Sequence, residues 1–112
     1  MIGNRLSSRI WVQAYGKHLA KEGIPYYILR KGHETSGSIL IKVTLSPDCV
    51  RLYHSVSTSF GDVQWDLLAD GNHADIERNL EKQISFDSDL WIIEVEEKEG
   101  RCLLEKSFLI RG

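Results

Sequence analysis

The chain has 112 residues, of which 42% are hydrophobic and 27% charged, and its formal net charge is -2. This size and composition predict one globular domain spanning residues 1–112 and exclude a disordered chain or one with the composition of a membrane protein. Because the chain as a whole is not basic, we expect no nucleic-acid partner.

The N-terminal segment is repeatedly interrupted by basic side chains, among them Arg5, Arg9 and Lys17. It therefore contains no apolar run long enough for a signal peptide or a membrane span. We expect a cytoplasmic protein that does not associate with membranes. In that reducing compartment Cys49 and Cys102 should be free thiols, although their spacing leaves a disulfide between them open.

The first predicted element is a helix from about Arg9 to Glu22. Ser7 and Ser8 are suitable caps for its start, and Gly23 before Ile24-Pro25 can end it. Apolar residues recur every four positions along this segment and would form one face toward a sheet. They are Trp11, Tyr15 and Leu19.

Four strands are predicted to follow, at YYILRK, SILIKVTL, VRLYHS and DVQWDLL. In the second of them, Ile39, Ile41 and Val43 alternate with Leu40 and Lys42, a pattern typical of a half-buried strand. The connecting segments GHETSG and SPDC carry turn residues and predict hairpins.

A second helix is predicted after Asn72, which is a suitable cap, with Ile76, Leu80 and Ile84 spaced four apart. A fifth strand then contains three alternating apolar residues, Trp91, Ile93 and Val95. The segment KEG predicts a three-residue loop with Gly100 in the left-handed position, followed by a sixth strand. A two-residue loop is disfavoured because it would place like charges opposite one another.

This order of elements predicts an α+β fold, a two-layer sandwich. An antiparallel sheet of about five or six strands would carry both helices on one face. The other face is expected to present Leu40 and Tyr53 beside charged side chains as a contact surface. The tail, residues 106–112, would be extended or would join an oligomer contact through Phe108, Leu109 and Ile110.

Polar side chains that could bind a ligand are scattered along the chain. They are Arg30, His33, Glu34, Lys42, Asp87 and Asp89. The loop RKGHETSG could cradle an anion with its amides, but it lacks the ending of a phosphate-binding loop. Asp87 and Asp89 lack the further oxygen ligands that a hard cation needs, and the histidines show no zinc spacing. We expect no metal and no cofactor.

The segments RIWVQAY, LRKG, GSILIKV and FDSDLWIIEVEEKEGR resemble a family of small, mainly alphaproteobacterial proteins of unknown function. The likeness extends from Arg9 to about Leu104. Its most specific part is the run from Phe86 to Arg101, which begins with the signature F-D-x-D-L-W-I. It implies a single-domain cytosolic protein without a known cofactor. Because the family has no assigned reaction, the resemblance transfers no catalytic residue.

Two functions are consistent with these features. The first is a non-catalytic protein–protein interaction module that self-associates, as a homodimer, or binds another protein. The alternative is a small enzyme or ligand-binding protein with a polar site near Lys42, Asp87 and Asp89. Convergence of these side chains with Glu34 in a concave pocket would favour the alternative.

Overall fold

The computed structural model describes residues 7–57 and 63–104. Within them the chain forms two helices and five strands in one open sheet of order β1-β5-β2-β3-β4. The elements are β1 (Tyr26–Arg30), β2 (Ile39–Ser46), β3 (Cys49–Ser57), β4 (Val63–Gly71), β5 (Trp91–Glu96), α1 (Ser8–Lys21) and α2 (His73–Phe86). The predicted α+β class, with two helices and about five strands, is confirmed.

Both helices begin at the predicted capping residues. The Ser7 hydroxyl accepts a hydrogen bond from the Ile10 amide at 3.4 Å, and Asn72 Oδ1 accepts one from the Asp75 amide at 2.9 Å. After α1, Gly23 has a φ of 74°, which a residue without a side chain adopts at little cost. The helix ends are thus set by local sequence. Neither described helix is long and apolar enough to cross a bilayer.

The sheet is mixed, whereas the sequence predicted an antiparallel one. Strand β5 pairs antiparallel with β1 but parallel with β2. The predicted hairpin between β1 and β2 is therefore wrong, because β5 lies between them. Residues 101–104 form no sixth strand, since β1 and β2 already occupy both edges of β5. No disulfide joins Cys49 and Cys102 in the described part of the chain.

The two helices cover opposite faces of the sheet, which corrects the prediction that both lie on one face. One core cluster joins α1 to alternate residues of β2 and β5, including Ile41 and Ile93. The other cluster joins α2 to the residues of β2 and β5 that lie between these and point to the opposite face, including Leu40 and Ile92. The reason is that β2 and β5 are interior strands with a parallel pairing and apolar side chains on both faces, so each face requires a covering helix.

Candidate functional site

Lys42 is buried between the sheet and α2, with 2% of its surface exposed. Its Nζ lies 2.8 Å from Glu77 Oε2 on α2 and 3.7 Å from Glu94 Oε2 on β5. The Thr44 hydroxyl donates to the same Glu94 oxygen at 2.8 Å. A buried ammonium requires compensating charge, and these two carboxylates provide it. The arrangement links α2 to the centre of the sheet.

The backbone of the loop after β1 contacts the turn before β5 and the first side chain of β5. The His33 amide donates to the Asp89 carbonyl at 2.9 Å, and Trp91 Nε1 donates to the His33 carbonyl at 2.8 Å. Gly32 and Gly37 lie so close to the Asp89 carbonyl that a Cβ at either position would collide with it. Both glycines of this loop are therefore required by a close backbone contact.

The polar side chains of the same region interact mainly with their own turns. His33 Nδ1 accepts hydrogen bonds from the amides of Thr35 and Ser36, each at 3.2 Å. Asp87 Oδ1 accepts one from the Asp89 amide at 3.0 Å. These contacts are typical of side chains that stabilise turns. No further group is needed to explain their positions.

The six candidate ligand-binding residues thus lie in two separate places. Five of them meet at one end of the sheet, where Glu34 also lies 3.7 Å from Arg9 and Arg30 donates to the Ser88 carbonyl at 2.8 Å. Lys42 lies apart from these five residues, on β2, where it pairs with Glu94 of the neighbouring strand β5. Among the described residues, no group of three or more His, Cys, Asp or Glu side chains could hold a metal ion.

The residues predicted to form a contact surface on the open face of the sheet occupy different positions. Leu40 is buried beneath α2 and is not available to a partner. Tyr53 is partly buried on the opposite face, against the core that contains α1. The expected open face does not exist at Leu40, because α2 covers it. Phe108, Leu109 and Ile110 lie outside the described residues.

An exposed apolar segment that the sequence analysis did not single out lies on β1. Tyr27, Ile28 and Leu29 are 48%, 50% and 48% exposed. Among the described strands they belong to one at the edge of the sheet, and no other described strand pairs with the outer backbone groups of such an edge. The signal in the sequence was the run YYIL, but such a run is equally typical of a strand buried on both faces.

One polar contact stabilises this edge on its inner side. The Tyr27 hydroxyl donates to Glu96 Oε1 at 3.3 Å. Two main causes raise the pKa of Tyr27 above its ordinary value. The larger is the negative charge of Glu96, and the smaller is partial loss of water contact. Tyr27 is therefore a protonated donor at neutral pH, and it ties β1 to the end of β5.

Comparison with known proteins identifies relatives without an assigned activity. This chain is 27% identical to a DUF1491 family protein from Caulobacter crescentus CB15, whose crystal and NMR structures match it with TM-scores of 0.79 and 0.77. Each match covers 89% of this chain, with 95% and 93% of the respective relative. A solution structure of a protein from A. tumefaciens matches with 27% identity and a TM-score of 0.73, over 83% of this chain and 86% of that one.

None of the curated proteins matches this chain. The family model described as "Protein of unknown function (DUF1491)" matches residues 6–105, which is most of the chain. This agrees with the resemblance seen in the sequence to a family of unknown function. The chain therefore belongs to the DUF1491 family.

Proposed function

We propose that this protein is a non-catalytic interaction module that self-associates through the open edge of β1. The supporting observation is the presence of three consecutive apolar side chains, each about half exposed, on an edge strand. Monomeric proteins usually protect such edges with charges or covering elements. An apolar edge is suited to the addition of a further strand.

Two features of β1 limit how far such an addition can extend. Pro25 directly precedes the strand, and the pairing with β5 shifts register between Ile28 and Arg30, which makes Leu29 a bulged residue. Proline and bulges both restrict edge-to-edge pairing. The edge therefore favours a small discrete complex over an open-ended aggregate.

A second copy of the chain is the partner that fits best. A two-fold axis brings the same patch of two molecules together, and aromatic and branched side chains form favourable cross-strand pairs. Phe86, which is 78% exposed, lies two residues from Ser88, the residue whose carbonyl accepts a hydrogen bond from Arg30. Phe86 therefore precedes a turn that contacts the last residue of β1. A cytoplasmic location belongs to the same proposal, and it agrees with Cys49 and Cys102 not being joined by a disulfide in the described part of the chain.

Sedimentation velocity over a wide concentration range tests this proposal. Three side chains offer less area than the roughly 800 Å² per partner of a standard interface, so the dimer should be weak and should appear at high protein concentration. Ile28→Lys should abolish it, because a lysine on the edge opposes strand pairing. Leu67→Lys on β4 is a matched control, since Leu67 is 51% exposed on the other edge of the sheet.

The expected result is a mass that rises with concentration for the wild type and for Leu67→Lys but stays monomeric for Ile28→Lys. A wild type that stays monomeric throughout would overturn the proposal. A dimer that persists unchanged in Ile28→Lys would show that β1 is not the contact.

A further inference from the structure

The geometry points to an antiparallel pairing of β1 with β1 of a second copy, centred on Tyr27. This inference rests on the proposed self-association and specifies its direction, register and hydrogen bonds. Two five-stranded sheets would then form one continuous sheet across the dimer.

The hydrogen bonds between β1 and β5 determine which backbone groups of β1 face outward. The Glu96 amide donates to the Pro25 carbonyl at 3.0 Å, in the register of the β1–β5 pairing. Residues two positions apart bond to the same neighbour in an antiparallel ladder, so Tyr27 also bonds to β5. The residues on either side of it, Tyr26 and Ile28, therefore direct their N–H and C=O groups toward the open edge.

A register centred on Tyr27 uses all of these outward groups. Tyr26 of each copy lies opposite Ile28 of the other, and each of these two pairs exchanges two hydrogen bonds. A register centred on Ile28 would instead place Tyr26 opposite Arg30. It would have to pass through the bulge at Leu29, where the ladder is disrupted. The regular part of β1 thus selects the Tyr27 register.

The same register pairs the side chains favourably. Tyr26 and Ile28 lie on the α1 face, because they oppose Val95 and Ile93 of the α1 core. Across the two-fold axis they would form two aromatic–aliphatic pairs on that face. Tyr27 would meet its counterpart on the other face, where aromatic pairs are also favourable.

Charge favours the antiparallel direction. Arg30 and the exposed Lys31 lie at the end of β1, and Glu96 lies beside its start through the bond to Pro25. In an antiparallel dimer, the basic end of each copy approaches Glu96 of the other. A parallel pairing would bring the two basic ends together, which is unfavourable.

Amide hydrogen exchange of the unmodified protein, measured by NMR at several concentrations, tests the hydrogen bonds directly. The amides of Tyr26 and Ile28 should exchange more slowly as concentration rises, by about tenfold when nine-tenths of the chains are paired. The Tyr27 amide is already bonded to β5 and serves as the internal control. Its exchange should respond much less.

Disulfide trapping tests the register with two matched variants, Tyr27→Cys and Ile28→Cys, in a background carrying Cys49→Ser and Cys102→Ala. In the Tyr27 register, the two Tyr27 Cα atoms form a non-hydrogen-bonded pair about 4.5 Å apart, within the range that a disulfide spans. The two Ile28 Cα atoms are then about 8–9 Å apart, which is too far. Oxidation should link Tyr27→Cys and leave Ile28→Cys monomeric.

The outcomes separate this inference from the proposed function. Preferential linking of Ile28→Cys would overturn the Tyr27 register. Dimers that form without slower exchange at Tyr26 and Ile28 would overturn strand pairing while leaving self-association intact. A protein that is monomeric at every concentration would overturn both.

Discussion

Substitutions of Lys42 separate the contribution of its aliphatic stem from that of its charge. Lys42→Met keeps most of the stem and removes the ammonium group, whereas Lys42→Ala removes both. We expect Lys42→Met to change the free energy of unfolding by less than about 1 kcal/mol. Lys42→Ala should lower it by about 3 kcal/mol. This difference follows from the burial of the lysine stem, the exposure of Glu77 and the hydrogen bond that Glu94 keeps with Thr44.

The larger effect comes from the stem. The Lys42 side chain is only 3% exposed, so its methylene groups are packed in the core between β2 and α2. Alanine retains the first carbon and loses three methylenes, each worth about 0.8 kcal/mol on burial. The cavity that remains adds a further cost, because the surrounding residues relax only in part.

The smaller effect of methionine follows from the surroundings of the two carboxylates. The Glu77 side chain is 46% exposed and can turn toward water once the ammonium is gone. Glu94 is 17% exposed and keeps the Thr44 hydroxyl as a donor at 2.8 Å. The variant also avoids the desolvation of the ammonium, which offsets part of the ion-pair attraction that it loses.

Urea unfolding monitored by tryptophan fluorescence measures these changes. With a slope of about 1.5 kcal/mol per molar urea, Lys42→Ala should lower the midpoint by about 2 M and Lys42→Met by less than about 0.7 M. Lys82→Ala, which removes an exposed lysine on α2, is the control and should leave the midpoint nearly unchanged. Equal losses for the methionine and alanine variants would refute the reasoning, because the charge would then outweigh the stem.

Two further predictions concern the loops at the ends of the sheet. Gly37→Ala should destabilise the protein by about 1–3 kcal/mol, because the added carbon meets the Asp89 carbonyl; an unchanged thermal midpoint would contradict this. Hydrogen bonds from the backbone amides of Arg101 and Glu99 to Glu97 lower the pKa of Glu97. A lowered folded-state pKa adds stability at neutral pH, and this stability is lost when the solution is acidified through that pKa. The free energy of unfolding of the wild type should therefore exceed that of Glu97→Gln by less at acidic pH than at neutral pH. Acid denaturation of both proteins measures this difference, and an increase on acidification would contradict the prediction.

The local features of this fold could be predicted from the sequence, and the long-range ones could not. Ser7, Asn72 and Gly23 act on residues within one helical turn, so their presence was enough to place the helix ends. The alternation in ILIKV suggested a half-buried strand, yet all five residues are buried, including Lys42. The ionic partners of Lys42 are Glu77 on α2 and Glu94 on β5, which lie 35 and 52 residues further along the chain. No local pattern predicts such contacts.

Insertion of β5 between β1 and β2 accounts for the two main differences from the predicted surface. It gives β1 a single neighbour, β5, among the described strands, and it creates interior strands that are apolar on both faces and require a helix on each side. The predicted interface residue Leu40 is buried for this reason, and Tyr27, Ile28 and Leu29 of β1 are exposed for the same reason. The composition of the run YYIL is typical of a strand with two neighbours, and β1 has one within residues 7–57 and 63–104. In the proposed dimer, a second copy provides the missing neighbour.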